Sequence, residues 1–231
     1  MDLISVSAAD DDGKGKTMKY STYLFDFDGT LVDSMPSFVS VMLRILDESG
    51  VEYGDDIIKI ITPLGYAGTA KYFVEHFGLE YTVDELVKKM NAYAYDEYAY
   101  RIQAKEHVIE VLRKLKSEGA DLNVLTASPH SVLDVCLKRL GMFDLFTNVW
   151  SCDDFETTKA NPEIYRMAAQ RMGRSVGEVL FLDDNYNADK TAASAGMKVC
   201  GVFDPSSEDY VEEIKQVADH YIYDFSELTA L

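Results

Sequence analysis

Two aspartates follow the first apolar run of this 231-residue chain and stand one residue apart. The stretch reads TYLFDFDGT, with Asp26 and Asp28 near its end and Gly29 directly after them. Side chains at positions i and i+2 of an extended segment point the same way, so both carboxylates are expected to face one pocket. Two close carboxylates repel each other unless a cation or a shared proton compensates. The pair therefore predicts a bound metal ion or one raised pKa, and Gly29 lets the backbone turn sharply towards a ligand.

Polar side chains also close three later segments, in an order that suits one kind of chemistry. Thr126 follows the stretch NVL, and Asp183 and Asp184 end the apolar run LFL. Lys159 lies in TTKANPEIY, just before a helical pattern. Phosphoryl transfer needs acids to hold Mg²⁺, donors for the phosphoryl oxygens and one carboxylate free to attack. The four segments supply that set, whereas DxDGT alone could be an ordinary polar strand end with an Asp-Gly turn.

The elements that must position these side chains alternate along most of the chain. Strands are predicted at 22–27, 121–126, 178–183, 198–203 and 220–225, with helical patterns between them. This alternation is typical of an α/β fold with a doubly wound parallel sheet. Such sheets bind ligands at the carboxyl ends of their strands, which is where the acids lie.

Helical patterns alone occupy the segment that follows the first strand. We therefore predict an inserted all-helical cap domain at 35–103, lying over the carboxyl end of that strand, and a core domain formed by 20–34 and 104–231. Residues 1–19 are acidic near their start and lack the apolar middle of a signal peptide, so they are interpreted as a flexible tail. Met18 is an alternative natural start.

Composition limits the partners that the protein is expected to have. The chain carries 22 Lys and Arg against 40 Asp and Glu, a formal net charge of -18. Nucleic acid and anionic membranes require clustered basic residues, so both are disfavoured. Cys136, Cys152 and Cys200 are odd in number and widely spaced, which indicates neither a disulfide framework nor a zinc cluster and fits a reducing, cytoplasmic location. The oligomeric state is left open.

In this order, the stretches DFDGTLVDS, LTAS, KANPEIY and FLDDN resemble the four motifs of the haloacid dehalogenase (HAD) superfamily. The resemblance covers about Tyr20 to Phe203 and extends to the phosphatase branch with a small helical cap, as in phosphoglycolate phosphatases and β-phosphoglucomutases. It implies a Rossmann-like core and a Mg²⁺-dependent phosphatase. The expected substrate is a small phosphorylated metabolite, hydrolysed through an aspartyl-phosphate intermediate.

The resemblance also implies a role for each motif residue that reacts or binds phosphate. Asp26 would be the nucleophile that accepts the phosphoryl group, and Asp28 the acid that protonates the leaving oxygen and then activates water. Thr126 and Lys159 would bind the transferring phosphoryl group.

A Mg²⁺ site is implied by the same resemblance. Its ligands would be Asp26, the backbone carbonyl of Asp28, and Asp184, with Asp183 binding directly or through water. Asp189, five residues beyond Asp184, is interpreted either as a supporting acid or as a solvated acid at a helix N-terminus.

Three other functions are weighed against the phosphatase. A β-phosphoglucomutase-like enzyme would need a histidine where Phe38 stands and a basic cap residue, for which Lys71 is the nearest candidate. A dehalogenase needs no acid such as Asp28. A non-catalytic binding protein with this fold is the third alternative, and the four intact motifs argue against it.

Two further segments are interpreted as structural. Tyr93, Tyr95, Tyr98 and Tyr100 lie in AYAYDEYAY, and packing between cap helices is favoured over an aromatic substrate pocket. The stretch SPH, which begins at Ser128, is interpreted as the start of a helix with no catalytic triad.

Overall fold

The computed structural model describes residues 19–231, so the predicted tail before Lys19 and the alternative start at Met18 lie outside the described residues. Within this range the strands are β1 (Thr22–Phe25), β2 (Asp121–Thr126), β3 (Asn148–Ser151), β4 (Val179–Asp183), β5 (Lys198–Val202) and β6 (His220–Ile222). They form one parallel sheet in the order β3-β2-β1-β4-β5-β6. The predicted α/β fold with a doubly wound parallel sheet is confirmed.

Some helices alternate with the strands and cover the sheet, and others form the segment that follows β1. They are α1 (Met35–Glu48), α2 (Ile57–Ile61), α3 (Gly65–Phe77), α4 (Val83–Tyr100), α5 (Val108–Ser117), α6 (His130–Arg139), α7 (Glu163–Arg171), α8 (Tyr186–Ala195) and α9 (Val211–Val217). Among those described between residues 19 and 231, none has both the length and the apolar character needed to cross a bilayer.

Strand β1 is central and determines where the functional residues meet. Its residues are buried throughout, as expected for a strand covered on both faces, and it pairs with β2 on one side and β4 on the other. Phe25 is in register with Val124 and with Leu182. The chain ends of β1, β2 and β4 therefore lie side by side where the strand order reverses, which is the usual ligand position in such sheets.

The sheet differs from the sequence prediction in two respects. Strands predicted to reach Phe27 and Phe225 end at Phe25 and Ile222. Beyond β1 the backbone turns, because the N–H groups of Leu31 and Val32 both donate to the carbonyl of Phe27. The sequence also does not predict β3, which has four residues, lies at one edge of the described sheet next to β2 and shows no apolar alternation.

Helices α1 to α4 share an apolar cluster of their own. Val41, Met42, Ile45 and Leu46 form the buried stripe of α1, with the helical spacing expected for one packed face. At the start of α4, Thr82 forms a reciprocal capping box with Glu85, which fixes where that helix begins.

Two linkers join this helical segment to the sheet, and they run beside each other. Val32 bridges to Ala104 in antiparallel fashion, and the Asp33 N–H donates to the carbonyl of Gln103 at 3.0 Å. Lys105 follows directly. Its ammonium donates to the carbonyls of Gly29 and Phe203, so the second linker is tied to the turn after β1.

Candidate active site

Three buried aspartates converge at the carboxyl ends of two neighbouring strands. Asp26 follows β1, Asp183 is the last residue of β4, and Asp184 comes next. One carboxylate oxygen from each lies within 4.8 Å of the others. Such close carboxylates, removed from water, repel strongly unless positive charge is nearby.

Lys159 supplies one positive charge to this cluster. Its ammonium contacts Oδ1 of Asp26 and lies 2.8 Å from Oδ2 of Asp183, and its side chain is only 14% exposed. Burial disfavours the ammonium, but the charges of Asp183 and Asp26 outweigh burial and raise the pKa of Lys159 well above its ordinary value. The Tyr165 hydroxyl lies 3.2 Å from the Lys159 carbonyl and 3.1 Å from that of Ala188, which anchors the lysine loop to α8.

One lysine does not neutralise three aspartates. Burial raises the pKa of Asp26 to about 8; Asp183 and Asp28 add to the rise, and Lys159 opposes it. Burial, with Asp183 and Asp26, likewise raises the pKa of Asp184 well above its usual range, although Thr30 donates to its Oδ1 at 2.9 Å. The cluster therefore requires more positive charge before all its carboxylates are ionised at neutral pH.

Gly29 allows the first-strand turn to pass directly over Asp184. Its φ of +78° lies in the left-handed region, and a Cβ atom placed there would lie 2.6 Å from Oδ2 of Asp184. Both the backbone conformation and the space therefore require glycine at this position.

Asp28 is held separately from the three converging carboxylates, by hydroxyl groups. Its Oδ1 accepts hydrogen bonds from Ser34 at 2.7 Å and Tyr98 at 2.5 Å, and its Oδ2 accepts one from Ser128 at 2.5 Å. The Ser128 N–H also donates to Thr126 Oγ1 at 3.0 Å, which links Asp28 to the end of β2. Two carboxylates that are close in sequence thus have different environments.

The sequence interpretation missed the contacts that Tyr98 and Ser128 make with Asp28. The Tyr98 ring stacks on Phe27, with centroids 6.1 Å apart and 23° between the planes, so it does pack, but its hydroxyl also reaches the site. Helix α6 begins at His130 as predicted, yet the Ser128 hydroxyl serves Asp28 as well. A tyrosine on a predicted helix and a serine before one carry no local signal for such contacts.

Asp189 is fully buried in the first turn of α8, so its interpretation as a solvated acid is wrong. Neither of its carboxylate oxygens has a hydrogen-bond partner among the described residues. Burial raises the pKa of Asp189 well above its usual range, and the charges of Asp183 and Asp184 raise it further.

The donor set fits a hard divalent cation. Carboxylate oxygens are the ligands that Mg²⁺ takes in proteins, and Asp26, Asp183 and Asp184 offer three of them in one place. Asp189 is a fourth buried carboxyl group without a hydrogen-bond partner among the described residues, and the charges of Asp183 and Asp184 act on it. A cation at this position would supply the positive charge that Lys159 alone does not.

The two positions considered for a mutase supply no basic group to the aspartates. Phe38 stacks on Tyr66, with ring centroids 5.0 Å apart and an angle of 18° between the planes. Lys71 is 66% exposed and lies 3.8 Å from Glu75 on the surface of α3. Neither provides a basic group that faces the aspartates.

The chain is similar to several known bacterial proteins over most of its length. It is 28% identical to the pyrophosphatase PpaX of Bacillus velezensis, over 80% of this chain and 83% of that one. It is 30% identical to the YhcW protein of Bacillus subtilis, over 76% and 80% of the two chains. Its fold matches the crystal structure of a Haemophilus somnus protein described as a predicted phosphoglycolate phosphatase, with a TM-score of 0.76, 21% identity and coverage of 94% and 99%.

The family model for haloacid dehalogenase-like hydrolases matches residues 23–202, about four fifths of the chain. That range contains every motif from the first strand to the paired acids of β4. The family resemblance inferred from the motifs is thereby confirmed, and the chain is a phosphatase-type hydrolase. It belongs to the haloacid dehalogenase-like hydrolase family, in its phosphatase branch.

Proposed function

We propose that this protein is a Mg²⁺-dependent phosphatase that hydrolyses a small phosphorylated metabolite through an aspartyl-phosphate on Asp26. The observation that carries the proposal is the convergence of Asp26, Asp183 and Asp184 around one point, with Lys159 between two of them. Asp28 has separate hydroxyl partners, which supports a different role for it.

The proposed first step transfers the phosphoryl group to the protein. A carboxylate oxygen of Asp26 attacks phosphorus, and the bond from phosphorus to the leaving oxygen breaks. Asp28 gives its proton to that oxygen, so the alcohol leaves neutral. Lys159 and the Thr126 hydroxyl bind the phosphoryl oxygens and orient the phosphoryl group so that the leaving oxygen lies in line with the attacking carboxylate oxygen.

The proposed second step returns both aspartates to their starting states. Asp28, now ionised, accepts a proton from a water molecule as its oxygen attacks phosphorus. The bond between phosphorus and Asp26 breaks, and inorganic phosphate leaves. Ser34, Tyr98 and Ser128 orient the Asp28 carboxylate in both steps.

Mg²⁺ would be held by Asp26, Asp183, Asp184 and the backbone carbonyl of Asp28. Bound there, it supplies the positive charge that lets a dianionic phosphate approach these carboxylates. Asp183 also accepts from Lys159 and from the Asn185 N–H, so its position is fixed before any ligand arrives.

We further propose that residues 35–103 act as a cap domain over a core formed by 20–34 and 104–231. Support comes from the separate apolar cluster of the helical segment and from Tyr98, which reaches from α4 to Asp28. Such a cap excludes water from the first step and selects the leaving group. The surface position of Lys71 and the stacked Phe38 make a mutase the weaker alternative.

The decisive experiment measures phosphate release from a panel of phosphate esters and from pyrophosphate, with and without chelator. Activity is expected to be lost in chelator, to return with Mg²⁺ and to return poorly with Ca²⁺, whose larger and looser shell misplaces the nucleophile. Asp184→Asn should raise the Mg²⁺ concentration needed for half activity, whereas Asp33→Asn, which removes an exposed acid nearby, should not. Full activity in excess chelator would overturn the metal site, and no activity on any ester with Mg²⁺ would overturn the phosphatase.

A further inference from the structure

Lys105 lies in the linker that leads from α4 to α5, and protein groups surround its ammonium. Its side chain is only 19% exposed. The Nζ atom donates to the Gly29 carbonyl at 2.7 Å and to the Phe203 carbonyl at 2.6 Å, and it lies 3.1 Å from Oδ2 of Asp204. An ammonium has three N–H donors and no acceptor, so these three partners use all of them. Lys105 therefore has no donor left for a phosphoryl oxygen.

Asp204 explains why a cation, rather than a neutral donor, stands at this position. Its side chain is only 2% exposed, and a buried carboxylate needs a positive partner. Its other oxygen accepts from the Ser206 N–H at 2.9 Å. The charge of Asp204 also acts on the acid cluster: burial is the main cause that raises the pKa of Asp184, and Asp204 is among the acids that add to the rise. Lys105 thus balances a charge that would otherwise add to the excess of the cluster.

The Gly29 carbonyl is the contact that connects Lys105 to the proposed metal site. That site uses the backbone carbonyl of Asp28, and the same peptide group includes the Gly29 N–H, which donates to the Val32 carbonyl at 3.0 Å. Peptide groups are planar, so the Asp28 carbonyl and the Gly29 N–H take their directions together. The next carbonyl along the chain is the one that Lys105 holds.

Gly29 has no side chain that restricts this turn. Glycine adopts both signs of φ about equally well, so the residue itself does not fix the observed φ of +78°. Because a Cβ atom placed on Gly29 would lie 2.6 Å from Oδ2 of Asp184, a small rotation of the turn changes the space around a proposed metal ligand. The turn therefore depends on restraints from outside, and Val32 and Lys105 supply one on each side of Gly29.

We propose that Lys105 is a positioning residue for the metal site: it holds the turn after β1 in the conformation that lets the Asp28 carbonyl and the Asp184 carboxylate bind one Mg²⁺ ion. The inference rests on the proposed function and adds to it a residue outside the four motifs. Groups that orient metal ligands without touching the ion commonly contribute about ten- to a hundredfold to metal affinity.

Charge and position predict opposite effects when Lys105 is removed. If only its charge mattered, loss of a nearby cation would make the acid cluster more negative and would tighten Mg²⁺ binding. If Lys105 holds the turn, its loss weakens Mg²⁺ binding. The sign of the change in affinity therefore distinguishes the two roles.

The experiment compares two variants that both lack the Asp204 charge. Lys105→Met alone leaves the Asp204 carboxylate buried without a cation, which destabilises the fold. Asp204→Asn keeps the lysine, whereas Lys105→Met/Asp204→Asn removes both charges and the tie to Gly29. Each metal-free protein is titrated with Mg²⁺ in a calorimeter, without substrate, after circular dichroism has shown that it is folded. The Kd for Mg²⁺ should be roughly tenfold or more higher in the double variant than in Asp204→Asn.

Lys116→Met is the matched control. Lys116 also donates to two backbone carbonyls, those of Asp144 at 2.5 Å and Leu145 at 2.9 Å. These two residues precede β3, whereas the acids stand at the opposite, carboxyl ends of their strands. The Kd of Lys116→Met for Mg²⁺ should equal that of the wild type.

The outcomes separate this inference from the function on which it rests. A double variant that binds Mg²⁺ as tightly as Asp204→Asn, or more tightly, would overturn the role of Lys105 and leave the phosphatase standing. An equal loss of affinity in Lys116→Met would do the same, since any lost lysine contact would then weaken the site. Wild-type protein that binds no Mg²⁺ would overturn both the metal site and this inference.

Discussion

The Tyr98 hydroxyl lies 2.5 Å from Oδ1 of Asp28, although 70 residues separate the two along the chain. Tyr98 is near the end of α4, and Arg139 of α6 donates to its backbone carbonyl at 3.2 Å. Tyr98 is therefore held by α6 at its backbone, and its side chain contacts Asp28, the proposed acid. The position of α4 and the orientation of Asp28 are coupled through this contact.

Tyr98→Phe should slow the enzyme while keeping its fold, because the ring still packs on Phe27 and only the hydroxyl is lost. We expect phosphoenzyme formation to slow roughly tenfold with an alkyl phosphate, the usual effect of removing a donor to a charged group. The loss should be smaller for p-nitrophenyl phosphate, whose leaving group hardly needs a proton. Tyr95→Phe, at an exposed tyrosine of the same helix, is the control. Equal slowing of phosphoenzyme formation with both esters would mean that Tyr98 does not assist proton transfer by Asp28.

Gly29→Ala should destabilise the protein and disturb the acid cluster together. The new methyl group meets Asp184 at 2.6 Å and the backbone keeps a φ of +78°. We expect the free energy of unfolding, measured in urea, to fall by about 2 kcal/mol or more. Gly50→Ala shares the positive φ but has no atom within 4 Å, and should cost only about 1 kcal/mol. Similar losses in the two variants would show that backbone strain alone, and not the approach to Asp184, restricts Gly29.

His130 should make stability depend on pH. It lies 2.8 Å from Asp134 on its own helix and 2.8 Å from Asp154 after β3, and hydrogen bonds to both raise its pKa. A raised histidine pKa adds stability that is present below about pH 6.5 and is lost as the pH rises through the folded-state value. Because the ring is 42% exposed, the effect should stay below about 1 kcal/mol.

The comparison that tests this is the unfolding free energy of wild type and His130→Gln at pH 6 and pH 9. The variant should be less stable at pH 6 and nearly equal at pH 9. A loss of the same size at both pH values would mean that the charged pair contributes nothing.

Asp28→Asn should have an effect that depends on the leaving group. The variant cannot give a proton to the leaving oxygen, a contribution of typically about 10² to 10⁴-fold. Phosphoenzyme formation should therefore slow severely with an alkyl phosphate and mildly with p-nitrophenyl phosphate. The measurement is rapid-quench kinetics of the first step, since Asp28 also serves the second. Equal slowing with both esters would exclude Asp28 as the general acid.

The sheet and the acid cluster follow from local patterns that the sequence contains. Asp26, Thr126 and Asp183 stand at the ends of apolar runs, and parallel strands bring such ends to one edge of a sheet. That reasoning needs only strand order and side-chain alternation. It also anticipates the buried contact between Lys159 and Asp26, because phosphoryl chemistry needs a cation beside the acids.

The remaining contacts depend on packing that no local pattern encodes. Ser128 reaches Asp28 across 100 residues, and Tyr98 does so from a helix whose tyrosines could face several neighbours. Asp189 has the spacing of a solvated helix-start acid and becomes buried only because α8 lies against the sheet. Strand β3 is defined by its pairing with β2 rather than by its own residues.

The central claim is that Asp26 carries the phosphoryl group, and trapping that group tests it most directly. The Asp28→Asn protein would be mixed with p-nitrophenyl phosphate and Mg²⁺, quenched in acid within one turnover, digested and sequenced by mass spectrometry. Slow hydrolysis in this variant should let the intermediate accumulate, with one phosphoryl group on Asp26 and none after the additional change Asp26→Asn. Phosphate release in a single turnover with no label on Asp26, or a label on another residue that survives Asp26→Asn, would contradict the account.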